Sequence, residues 1–118
     1  MLGFELERRI VIESIPANVA VLKNGNLRME LFEATGGKAP SEERSIPDQD
    51  IKTWGNKHVS FAVDDVIVVG EELKRRGADI VWIKKLPFGG ANIFLRDNAG
   101  NLIEFVQRAR PSVGHGSL

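Results

Sequence analysis

Three side chains stand out by type and setting: Glu30, His58 and Glu104. Glu104 lies between Ile103 and Phe105 on an apolar run, where a carboxylate is costly to bury unless a cation, a metal or several donors meet it. Side chains alternate faces along a strand. Over residues 57–63 that alternation separates His58, Ser60 and Ala62 from Val59, Phe61 and Val63. Over residues 26–33 it separates Arg28, Glu30 and Phe32 from Leu27, Met29 and Leu31, and on the last strand Leu102, Glu104 and Val106 from Ile103 and Phe105. If the bulky sets all face a helix layer, Glu30, His58 and Glu104 gather on the opposite side of the sheet, with small residues beside His58 leaving room for a ligand. Imidazole with carboxylates is an N/O donor set suited to divalent Zn, Ni, Co, Mn or Fe. Plainer readings use the same residues. His58 reads equally as a satisfied core or surface histidine, and Glu104 as the partner of Arg96 or Arg28 in an internal ion pair. Glu30 reads as a surface residue with Glu33 as its competitor, Trp54 and Trp82 as packing, and His115 as a tail residue without a role.

The elements that must position these residues are legible from periodicity and turn chemistry. Residues 91–107 read as two strands joined by Asp97-Asn98-Ala99-Gly100. An ungapped echo lies 74 positions upstream: Ala17-Asn18 matches Ala91-Asn92, Asn24 matches Asn98, Glu30 matches Glu104 and Gly3 matches Gly77. Val19, Val21, Met29 and Leu31 then fall opposite Ile93, Leu95, Ile103 and Phe105, which predicts two copies of one small module. Strands are expected over residues 4–13, 17–23 and 26–33, with Asn24-Gly25 as a hairpin signal. A further strand over 57–63 leads into a helix capped by Asp64 or Asp65, with Val66, Val69, Gly70 and Leu73 on one face and Gly77 closing it. A strand over 79–84 precedes the final pair. The expected division is a first module over 1–34, a linker over 35–56, a second module over 57–108 and a mobile tail over 109–118, together one domain. The second module is then strand–helix–strand–strand–strand, and the first only strand–strand–strand. Gly3 takes the place of a helix C-terminal glycine, and a strand and helix are expected before it.

The 118 residues suffice for one domain. Sixteen basic and sixteen acidic residues cancel, which gives no global attraction to nucleic acid or an anionic membrane. The absence of cysteine excludes thiolate metal sites, disulfides and cysteine nucleophiles. No signal peptide or membrane-spanning run is visible, so a cytoplasmic protein is expected.

The segments GNKHVSFAVDDV and EELKRRGADIV, followed by ANIFLRDNAGNLIEFVQ, resemble the vicinal oxygen chelate superfamily of glyoxalases, bleomycin and fosfomycin resistance proteins and extradiol dioxygenases. LGFEL and NVAVLKNGNLRMELFE resemble the later part of that family's first module. The resemblance implies an α+β fold of paired βαβββ modules, the first truncated to βββ, around one divalent metal. It implies Glu30, His58 and Glu104 as metal ligands, the remaining histidine ligand belonging to the absent first strand. Without that histidine, dioxygenase chemistry is disfavoured. Lyase or isomerase chemistry is favoured on a small molecule with vicinal oxygens, with Glu30 or Glu104 as general base. The alternatives are a metal-free small-molecule binding protein, as in bleomycin resistance, or an inactive dimerisation module. Unpaired backbone at the truncated edge leads us to expect a homodimer.

Overall fold

The computed structural model describes residues 2–87 and 89–108. The predicted tail, His115 included, lies outside them. The fold is α+β, with the predicted βββ and βαβββ element orders, and the chain divides into two compact units, Met1–Lys38 and Ala39–Leu118.

The first unit is an antiparallel meander of β1 (Glu5–Ile12), β2 (Ala17–Asn24) and β3 (Leu27–Ala34), in the order β1-β2-β3. The hairpin between β2 and β3 closes on Gly25 and Asn26. Gly25 has φ +58° and takes the first loop position, where a type II′ turn requires glycine. Ala17, Val19 and Val21 on β2 are buried, whereas Leu6, Val11, Leu27 and Leu31 are exposed.

In the second unit β4 (Val59–Ala62) leads through a helix to β5 (Asp79–Lys85), β6 (Ala91–Arg96) and β7 (Leu102–Gln107). The sheet order is β4-β7-β6-β5, with β4 parallel to β7 and the other pairs antiparallel. Before β4, residues 39–58 are more ordered than their lack of periodicity suggests: they hold a 3-10 turn (Glu42–Ser45) and the short helix α1 (Pro47–Asp50). Asp50, 1% exposed, pins this segment. Its Oδ1 accepts from Arg44 Nε at 3.1 Å and lies 3.5 Å from Lys57 Nζ, which also donates to the Asp50 and Thr53 carbonyls.

The connecting helix α2 (Val66–Arg75) is closed at both ends. Asp65 Oδ1 accepts from the N–H groups of Ile67 and Val68, and Gln107 Oε1 accepts from that of Val66. At the C-terminus Gly77 N donates to the Lys74 carbonyl and Ala78 N to that of Leu73, the paired bonds of a Schellman motif. Val66, Gly70 and Leu73 form the buried stripe. A Cβ on Gly70 would stand 3.1 Å from Ile83 Cδ1 and 3.4 Å from Ile93 Cδ1, so glycine here lets the helix axis approach the sheet. Beneath it Ile93, Leu95 and Phe105, all nearly inaccessible, complete the core of the unit.

Register corrects one expectation. Around the β5 bulge Ile80 pairs with Leu95 and Trp82 with Phe94; around the β1 bulge Leu6 pairs with Leu22 and Arg8 with Val21. Phe94 faces Glu104, and Val21 faces Glu30. β1 and β3 therefore match β5 and β7 at the expected spacing, while β2 is slid by one residue. Val19 and Val21 occupy the places of Asn92 and Phe94, not those of Ile93 and Leu95. The first unit has one residue more in the turn before β2 and one fewer in the turn after it, which is why the echo is ungapped at both ends. Since side chains alternate, this slip turns every β2 side chain to the other face.

Candidate functional site

Alternation along β4, β7, β6 and β5 places His58, Ser60, Glu104, Asn92, Phe94, Trp82 and Lys84 on the sheet face opposite α2. His58 and Glu104 meet as expected. His58 Nε2 lies 3.6 Å from Glu104 Oε1, and their side chains are 26% and 17% exposed. His58 precedes the first ladder residue of β4, so it is held by its neighbours; its ring packs edge-on against Phe94 at a centroid distance of 4.7 Å.

Glu104 is the best-bonded carboxylate of this face. Ser60 Oγ donates to Oε1 at 2.7 Å and Asn92 Nδ2 donates to Oε2 at 2.8 Å. Burial pushes its pKa up; the bonds from Asn92 and Ser60 and the proximity of His58 outweigh that, and its carboxyl sits below the usual carboxylate range. The ion-pair reading of Glu104 is overturned. Arg96 donates to the Ser45 carbonyl and to Asp79, and Arg28 makes a paired contact with Glu7 at 2.7 and 3.0 Å.

The face is not lined by small residues alone. Reading β4 in isolation missed the neighbours that the sheet order supplies. Phe94 is buried, and Trp82 meets it edge-on at 5.3 Å while donating Nε1–H to Asn92 Oδ1 at 3.3 Å. Lys84 Nζ sits 3.7 Å from the centre of the Trp82 ring. Trp82 points here because of the bulge between Ile80 and its position, since unbroken pairing would turn it toward the helix. Trp54, also expected to pack, is instead 98% exposed. Asn92 and Phe94 were findable from the Asp97–Gly100 turn, whose register sets Phe94 opposite Glu104.

Glu30 lies on β3, exposed, opposite Val21, and among the described residues it has no hydrogen-bond or ion-pair partner. Its competitor Glu33 occupies the other face of β3 and accepts from Asn18 at 3.3 Å. Among the described residues no three His, Cys, Asp or Glu side chains cluster so as to hold a metal ion. The donors of the His58–Glu104 pair fit a divalent cation in kind, imidazole nitrogen and carboxylate oxygen, and number two. No helix among the described residues is long and apolar enough to cross a membrane.

Comparison with known proteins places the fold. Residues 1–105 match the Glyoxalase/Bleomycin resistance protein/Dioxygenase superfamily. Among solved structures, a glyoxalase family protein from Enterococcus faecalis is 24% identical with a TM-score of 0.73, the match covering 89% of this chain and 79% of that one. A glyoxalase I variant from Zea mays is 27% identical with a TM-score of 0.66, over 92% of this chain but only 38% of that one. A fosfomycin resistance protein from Listeria monocytogenes shares the fold at 13% identity and a TM-score of 0.60, over 92% and 75% of the two chains. No curated protein matches the sequence.

Proposed function

The chain belongs to the glyoxalase/bleomycin resistance protein/dioxygenase superfamily, and from that premise we propose that it is a divalent-metal-dependent lyase or isomerase acting on a small molecule with vicinal oxygens. The observation that carries this reading is the His58–Glu104 pair, brought together from the first and last strands of the second unit. In it, His58 and Glu104 are metal ligands and Glu30 supplies a third donor or the general base. A bound divalent cation would supply Lewis acidity toward paired substrate oxygens. The chain's own part is to hold the carboxylate of Glu104 fixed and ionised, to offer the substrate the Trp82 side of this face, and to take a carbon-bound proton onto a carboxylate and return it. We further read residues 1–34 and 57–108 as the two modules of a small-molecule site that is completed in a homodimer, with β3 an unpaired sheet edge. A cytoplasmic location fits this reading.

The deciding experiment is metal content after purification without chelator, with thermal unfolding followed with and without Ni, Co, Zn and Mn. A cation that binds only the native state raises the unfolding temperature, and His58→Ala and Glu104→Ala should abolish the rise. A wild-type protein indifferent to all four metals sinks the reading. One observation favours a second reading, a metal-free small-molecule binding protein: both oxygens of Glu104 are already hydrogen-bonded within a wall that includes Trp82 and Phe94. Under it, aromatic or oxygen-rich ligands quench or shift the fluorescence of Trp82 without added metal.

A further inference from the structure

We infer that Asn92, itself held by Trp82, is a positioning residue that sets the orientation in which Glu104 presents its carboxylate; the inference rests on Glu104 being a metal ligand as proposed above. Asn92 is 6% exposed and bonded at both ends of its amide. Its orientation is fixed by chemistry, because the indole N–H can only donate and an ionised carboxylate can only accept. Oδ1 must face Trp82 and Nδ2 must face Glu104. The resulting chain runs from Trp82 through Asn92 to Glu104 Oε2, with Ser60 closing on Oε1. It leaves the carboxylate little freedom to rotate, and with Ser60 it spans all four strands.

The first unit shows what its absence looks like. There the place of Asn92 is held by Val19, that of Trp82 by Arg8, and among the described residues Glu30 stands without a partner. The difference lies in residue type at matched register positions, so the amide is not a requirement of the strand pairing. In the second unit an amide occupies a buried position that valine fills in the first, and its two bonds lead only to the indole and the carboxylate.

The test uses Co²⁺ alone as the probe, with affinity from titration and coordination from the visible absorption of the bound ion, on wild type and on the variants Asn92→Ala, Trp82→Phe and His58→Ala. Removing a group that orients a ligand characteristically lowers metal affinity about ten- to a hundred-fold. Asn92→Ala should fall in that range with an altered absorption band, while circular dichroism shows the fold intact. Trp82→Phe keeps the ring against Phe94 and removes the N–H donor; it should weaken Co²⁺ binding less and shift the band in the same direction. If Asn92→Ala does not fold, Trp82→Phe decides alone. Variants that bind Co²⁺ as wild type does, with an unchanged band, overturn the inference while leaving the metal reading intact. A wild type that binds no Co²⁺ overturns both.

Discussion

The hairpins β2–β3 and β6–β7 come from matching stretches of sequence and end in matching glutamates, yet the two carboxylates live differently. Glu104 is bonded through both oxygens, and among the described residues Glu30 through neither. One cause is that no described strand of the first unit matches β4, which brings Ser60 to Glu104; the other is the one-residue slide of β2. It carries Asn18 to the face away from Glu30, where Asn18 bonds Glu33, and it brings Val19 to the position that Asn92 holds beside Glu104. Loop length therefore decides which glutamate meets a buried amide and which does not. The two sheets differ in cover as well. Phe105 is nearly inaccessible beneath α2, while its counterpart Leu31 is half exposed.

That second contrast gives the largest expected effect. Phe105→Ala should cost about 3–5 kcal/mol, the range for emptying a packed aromatic site. Leu31→Ala should stay near the roughly 0.5 kcal/mol typical of surface changes. Denaturant unfolding of both variants measures the pair, and similar losses would mean that the Leu31 face is covered in solution. Next in size is the carboxylate itself. Glu104→Ala strands the donors of Asn92 and Ser60, at about 1–3 kcal/mol for the buried one. Glu30→Ala strands none and should lie within about 0.5 kcal/mol of the parent. A Glu30→Ala variant as unstable as Glu104→Ala would erase the distinction between the two hairpins.

Element types were readable in the sequence because each signal is local. The Asp65 cap, the Val66–Gly70–Leu73 stripe and the two-residue periodicity of β4 and β7 depend on near neighbours. So did the meeting of His58 with Glu104, since alternation fixes faces once strands are known. What escaped was register. The β2 slide is invisible in an ungapped match, because the extra residue in one turn cancels the missing one in the next. The bulge that turns Trp82 toward Asn92 leaves no mark on composition. Asp50 escaped for a related reason. It lies in a stretch without periodicity, and its burial depends on cations at Arg44 and Lys57, six and seven positions away.

The turns themselves offer a smaller test. Gly25→Ala forces a Cβ into the left-handed region at φ +58° and should cost about 1–2 kcal/mol. Asp97→Ala removes a carboxylate that accepts from Ala99 N, Asn101 N and Asn101 Nδ2, a loss of about 1 kcal/mol at this exposed site. If register is held by the turns, Gly25→Ala should also change hydrogen exchange along β2 and β3. An effect confined to residues 24–27 would show that the strands hold their own pairing.

Acid stability carries the smallest effect and separates the two units by salt. Glu104 is held below the ordinary carboxylate range, against its burial, by Asn92, Ser60 and His58; Glu7 on β1 is held low chiefly by its bond to Arg28. In the unfolded chain both return to about 4.3. Above that value both are ionised in either state, and their stabilisation is complete. As pH falls below it the unfolded chain takes up protons first, so stability declines and is lost once pH passes below the folded values. Glu104→Gln and Glu7→Gln should each flatten this decline in metal-free protein. Added salt should erase the contribution of Glu7, which lies at the surface, and leave most of that of Glu104, shielded between β4 and β6. Equal salt sensitivity of the two would place Glu104 in water, and the fixed carboxylate on which the site depends would be lost with it.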